Sequence, residues 1–204
     1  MKFYQSDFYK IMETISNFFI LNILWLLSCI PIITIFPATS ALFSVARQWQ
    51  LKKERSVYSA YLHAFRKNFL QSLGACLIWF LILLILAADY YLVFRSGIMD
   101  AFVFKTIFFL FSTIFTMTSL YLFPVLVHYK TSTISIFKNS LLLAVSQLHM
   151  TILLFLLAGL AGTVLYLFPF LLLALPSCTA YAIYYLCRRV FQKIERYQQQ
   201  ETAL

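Results

Sequence analysis

Acidic residues are scarce in this sequence, seven Asp and Glu against sixteen Lys and Arg in 204 residues. Three of the seven, Asp7, Glu195 and Glu201, lie near the chain ends. Carboxylate-based metal or acid–base chemistry therefore has little to work with. Glycine is rarer still, at four, and no P-loop, G-x-G-x-x-G or G-x-S-x-G pattern occurs. The four cysteines, Cys29, Cys76, Cys178 and Cys187, sit in apolar segments without a C-x-x-C pair and read as small buried hydrophobes. His63, His128 and His149 are scattered, and none has an acid at ligand spacing. The expectation is a protein that is not an enzyme and holds no cofactor or metal.

Charge as a whole is thin. Only 11% of residues are charged and 62% are apolar, whereas a soluble domain carries roughly 25% charged residues. Such a chain cannot cover a globular surface with polar groups, and its medium is a lipid bilayer. Thr14–Ala46 and Asn139–Cys187 contain no charged residue, Phe69–Phe94 contains only Asp89, and Ala101–Val127 contains only Lys105. A spanning helix needs about 20 apolar residues. These runs predict an all-α, polytopic membrane helical bundle with about six spans, at 14–31, 32–49, 69–94, 101–128, 141–166 and 170–187.

The net charge of +9 falls between the apolar runs and at the ends, not in one stripe, which speaks against nucleic acid. The segment 47–67, the segment 128–138 and the tail 188–204 hold most of the Lys and Arg, and "RSGIMD" (Arg95–Asp100) is short and turn-like. The positive-inside rule then places both termini in the cytoplasm. The same runs predict a multi-pass membrane protein.

Prolines mark two corners. Pro31 and Pro37 are followed by small residues, among them Ala38 and Thr39, that permit close helix approach. Pro169 and Pro176 are followed by "SCTAY". Each stretch reads as helix, proline, a few apolar residues, proline, then a return to basic residues. "AFRKNF" and "IFKNSL" entering later spans add a second echo, so a weak internal repeat is expected. Ile32–Ala46 is short for a full crossing, and a re-entrant hairpin is the other reading.

Residues 57–68 read as an amphipathic helix, either lying at the interface beneath the bundle or docking a cytoplasmic partner through Tyr61, Phe65, Arg66 and Lys67. Polar groups at depth, Asp89, Asn22, Gln147 and His149, are the candidate intramembrane contacts. Interhelical hydrogen bonding competes with an ion or substrate role for each.

"NILWLLSCIPIITIFPATSALF" (Asn22–Phe43) and "AFRKNFLQS" (Ala64–Ser72) resemble the YesL-like family of small bacterial integral membrane proteins. The shared features are L-W before I-P-I-I-T, the P-A-T helix start and the F-R/K-x-N-F-x-Q-S entry to the next span. The sequence departs at Phe36, where the family often has Gly. The resemblance implies no catalytic or ligand-binding residues. It does imply a genomic association with carbohydrate ABC importers, sensor kinases and glycoside hydrolases in Gram-positive bacteria. An accessory or permease-like component of carbohydrate uptake is one reading, and the missing E-A-A loop of ABC permeases favours the accessory form. A non-transporting scaffold or signalling component is the other. Importer subunits, a sensor kinase, the bilayer and a second copy of the chain are the expected partners.

Overall fold

The computed structural model describes residues 7–52, 56–95, 102–129 and 131–201, with side chains between 11 and 196 of these. The expected turn at Ser96–Gly97 and the last residues of the tail lie outside the described residues. The described chain forms helices α1 (Asp7–Ser28), α2 (Ile35–Gln50), α3 (Val57–Phe94), α4 (Phe102–His128), α5 (Thr133–Ser146), α6 (Leu148–Leu167) and α7 (Leu175–Glu201), with 3-10 turns at Ile32–Thr34 and Pro169–Leu173. Among the described residues there is no strand. By length and composition α1, α3, α4 and α6 can each cross a membrane.

The two double-proline stretches adopt one local order. Pro31 directly precedes the first 3-10 turn and Pro169 opens the second, while Pro37 and Pro176 lie in the first turns of α2 and α7. A helix's first turn has amide groups without intrahelical partners, so proline is tolerated there. The Thr34 hydroxyl lies 2.6 Å from both the Ser28 and the Pro31 carbonyl oxygens, covering acceptors that the corner frees. Phe36 is helical and packs on Trp79 and Phe123, so this position has no need of glycine.

Three expected boundaries move. Residues 57–68 are not a separate interfacial helix, because α3 runs unbroken for 38 residues from Val57. The change from amphipathic to apolar composition at Asn68–Phe69 contains no proline or glycine to interrupt the hydrogen-bond ladder. At ~1.5 Å per residue the helix is about 57 Å long, nearly twice a ~30 Å hydrocarbon core. Conversely, the expected span 141–166 is two helices that meet at Gln147, whose backbone (φ −121°, ψ 54°) is not helical. Thr151 mends the break, its hydroxyl lying 2.9 Å from the Ala144 oxygen and 3.1 Å from the Gln147 oxygen. The expected span 170–187 begins as a 3-10 turn, and α7 then continues through the basic tail to Glu201.

The core lies at one end of the bundle. The central helix α2 buries Pro37, Ala38, Ser40, Ala41, Leu42, Phe43, Val45 and Ala46 and packs against α1, α3, α4 and α7. Alanine and serine at these positions let backbones approach closely, the main source of attraction between helices in lipid. It runs antiparallel to α3, with Ser72 Oγ donating to Ser40 Oγ at 2.8 Å and Asn68 Nδ2 to Ser44 Oγ at 3.1 Å. In α4 the buried residues start at Thr118.

The α1–α2 corner does not reach the far end of the long helices. Phe36, in the first turn of α2, contacts Trp79 of α3 and Phe123 of α4. Trp79 is about 22 Å of helix from Phe94, and Phe123 about 31 Å from Phe102, at ~1.5 Å per residue. Beyond that level α3 and α4 pair through Tyr90, Phe94 and Phe108. The opposite end, here called the base, gathers the end of α2, the end of α4 and the middle of α7. Phe18 of α1 is also there, against Trp49 and Tyr181.

Candidate functional site

The four candidate polar contacts do not converge. Asn22 is fully buried and joins α1 to α7. Its Nδ2 donates to Ser177 Oγ at 2.7 Å, and its Oδ1 accepts the Ser177 backbone N–H at 3.0 Å. Ser177 Oγ donates in turn to the Phe18 carbonyl at 3.1 Å. An amide from α1 thus caps a first-turn N–H of α7, the kind of group a helix leaves unpartnered. Asp89 is exposed on the flank of α3 and lines an apolar groove of about 550 Å3 between α3, α4 and α5, whose other charged member is Lys138. Gln147 forms the α5–α6 break, and His149 is exposed in the first turn of α6.

The corner residues divide. Pro37 and Ala38 are buried, Pro31 and Pro169 are exposed, and Pro176 is half-buried. Thr39 accepts from Trp25 Nε1 at 3.3 Å and donates to the Ile35 oxygen at 2.7 Å, tying α1 to α2.

The expected docking residues divide as well. Tyr61 is not available to a partner, because it is 0% exposed in the core. Phe65 is half-buried, packed against that core with its ring 6.2 Å from the Tyr61 ring. Arg66 and Lys67 are exposed. The accessible face of this part of α3 is a shallow concavity formed by Tyr58, Ser59, Leu62, His63, Arg66 and Lys67. The amphipathic period was legible, but the apolar stripe at Tyr61 faces other helices of the chain.

Spacing gave no sign of the polar cluster at the base. His128, at the end of α4, lies with Nδ1 3.0 Å from Tyr184 Oη and Nε2 3.1 Å from Glu195 Oε1. A carboxylate only accepts, so Nε2 carries a proton, and in the neutral ring Nδ1 accepts from the tyrosine. Arg47 Nη1 donates to the Val127 oxygen at 2.8 Å, Arg188 Nη1 to the Gln50 oxygen at 2.8 Å, and Gln50 Nε2 to the Tyr181 oxygen at 2.9 Å. Burial first, and the Glu195 carboxylate second, push the Tyr129 phenol up from its ordinary value, so it stays protonated. These bonds bind the ends of α2 and α4 to the middle of α7. The acid that His128 lacks locally arrives from 67 residues away.

The family described as "Protein of unknown function, DUF624" matches residues 18–90, which cover the second half of α1, the proline corner, α2 and most of α3. The "Uncharacterized protein YesL" of Bacillus subtilis (strain 168) is 30% identical over 190 residues, 90% of this chain and 88% of its own length. No solved structure matches. The chain belongs to the YesL-like family of unknown function.

Proposed function

We propose that the protein is a non-enzymatic accessory component of a carbohydrate ABC importer in the cell membrane, with its base and both termini in the cytoplasm. The α1–α2 and α6–α7 corners would then turn inside the bilayer or at its outer half. The basic residues at the base, Arg47, Arg66, Lys67, Arg188 and Arg189, support that orientation.

One observation carries the reading. α3 is about 57 Å long and its apolar part begins near Phe69, so its first turns stand clear of the hydrocarbon, presenting His63, Arg66 and Lys67 beside Tyr58. An exposed aromatic ringed by bases fits an acidic partner surface. The buried polar side chains Asn22, Ser40, Ser72, Thr151 and Ser177 bond to one another or to backbone. That use supports an architectural role over a conducting one.

The test is co-purification of the importer ATPase from membranes, comparing the wild type with Tyr58→Asp and Arg66→Glu. Loss of the ATPase in both variants, at unchanged protein level, is the expected result. Saturable sugar uptake by the purified protein alone in proteoliposomes contradicts the accessory role, and capture of a sensor kinase instead points to the signalling one.

A further inference from the structure

We propose that a polar cavity at the base, between the end of α2 and the early part of α3, binds a phosphate-bearing anion. The cavity measures about 390 Å3, within the ~300–1,000 Å3 range of small-molecule sites. Two helical faces build it. Ser44, Arg47 and Gln48 follow the three- and four-residue spacing of one face of α2, and Ala64, Lys67, Asn68 and Gln71 do the same on α3. Tyr129, just past α4, closes it. The α3 set comes from the "AFRKNFLQS" stretch, which the proposed partner contact leaves largely unexplained.

The chemistry of the lining is one-sided. Arg47 and Lys67 supply positive charge, and among the described residues no acid lines the cavity. The walls are held in place before any ligand arrives. Asn68 Nδ2 is bonded to Ser44, Gln71 Nε2 donates to the Thr131 oxygen at 2.6 Å, and Arg47 Nη1 is fixed on Val127. Arg47 Nε is buried with no acceptor among the described residues. A buried donor without an acceptor is costly, and a phosphate oxygen is the acceptor a guanidinium takes best. Lys67 is exposed at the mouth, where a flexible ammonium can close over an anion that enters from water or from the interface.

The same chemistry serves a soluble phosphate compound and the headgroup of an anionic phospholipid. Two titrations separate them. Full-length protein in non-ionic detergent is titrated with inorganic phosphate by calorimetry. The same protein in phosphatidylcholine nanodiscs containing phosphatidylglycerol is assayed by native mass spectrometry for retained phosphatidylglycerol. Saturable binding of one anion per chain is expected in at least one arm, weakened at least tenfold by Lys67→Gln. Arg66→Gln, on the adjacent exposed strip, leaves it unchanged. Phosphate binding identifies a soluble ligand, and lipid retention alone identifies the headgroup. Lys67 makes no buried contact, so folding is not at stake in that variant. No saturable binding in either arm, or equal loss in Lys67→Gln and Arg66→Gln, overturns the proposal.

Discussion

Asn22 and Ser177, 155 residues apart, form a buried two-way contact in which the amide both donates to the hydroxyl and caps the serine's backbone N–H. It ties the first helix to the last. Asn22→Ala strands the buried Ser177 N–H and Ser177→Ala strands the buried Asn22 Nδ2 donor, so each should cost ~1–3 kcal/mol. A double-mutant cycle should give a coupling of about 0.6–1.7 kcal/mol, the range of interhelical hydrogen bonds in lipid. Unfolding of the full chain in mixed micelles measures it, and additive single effects would contradict the contact.

Tyr61 and Tyr58 lie on the same turn of α3 but differ in exposure, 0% against 58%. Tyr61→Ala should destabilise the fold by ~3–5 kcal/mol, as large core truncations do. Tyr58→Ala should stay within about 0.5 kcal/mol, the usual range of a surface change. Thermal unfolding of the two variants side by side distinguishes core from surface, and equal effects would refute the assignment.

The α5–α6 break depends on Thr151, which covers two backbone oxygens and meets Tyr121 Oη at 3.1 Å. Thr151→Val keeps the shape and removes every one of these bonds, for an expected loss of ~1–3 kcal/mol. Tyr121→Phe removes only the bond from the ring and should cost about 1 kcal/mol. Hydrogen exchange at 144–151 should rise in the valine variant. Unchanged protection there would show that the break does not need the hydroxyl.

The continuity of α3 sets a ruler. Spin labels at the exposed positions 58 and 90 should be separated by about 48 Å of helix, before label reach. A pulsed dipolar measurement near 30 Å would restore a bend between an interfacial helix and a span.

What the sequence made legible was the medium and the helical class, because both follow from uncharged runs that extend over dozens of residues. The double-proline corners were legible for a local reason, since two closely spaced prolines favour first turns and turn positions, whereas the lone Pro124 lies buried inside α4 without ending it. Element boundaries were not. At Asn68–Phe69 the composition changes while the backbone stays helical, and at Gln147 the helix breaks with neither proline nor glycine to mark it. Partnerships were hidden altogether. Asn22 was visible as a polar group at depth, but Ser177 could not be named as its partner from spacing, nor Glu195 as that of His128, because only the packed bundle brings them together. Tyr61 was misread because an amphipathic stripe does not say whether protein, lipid or water covers it.

The depth of the first proline corner tests the account most directly. Phe36 touches Trp79 midway along α3, so a nitroxide at position 32 in a liposome should collide with oxygen as readily as one at position 84, and be shielded from a water-soluble relaxation agent. A label at position 32 that meets the aqueous agent from outside the liposome as freely as a surface loop would contradict the half-height hairpin, and with it the arrangement of helices around α2.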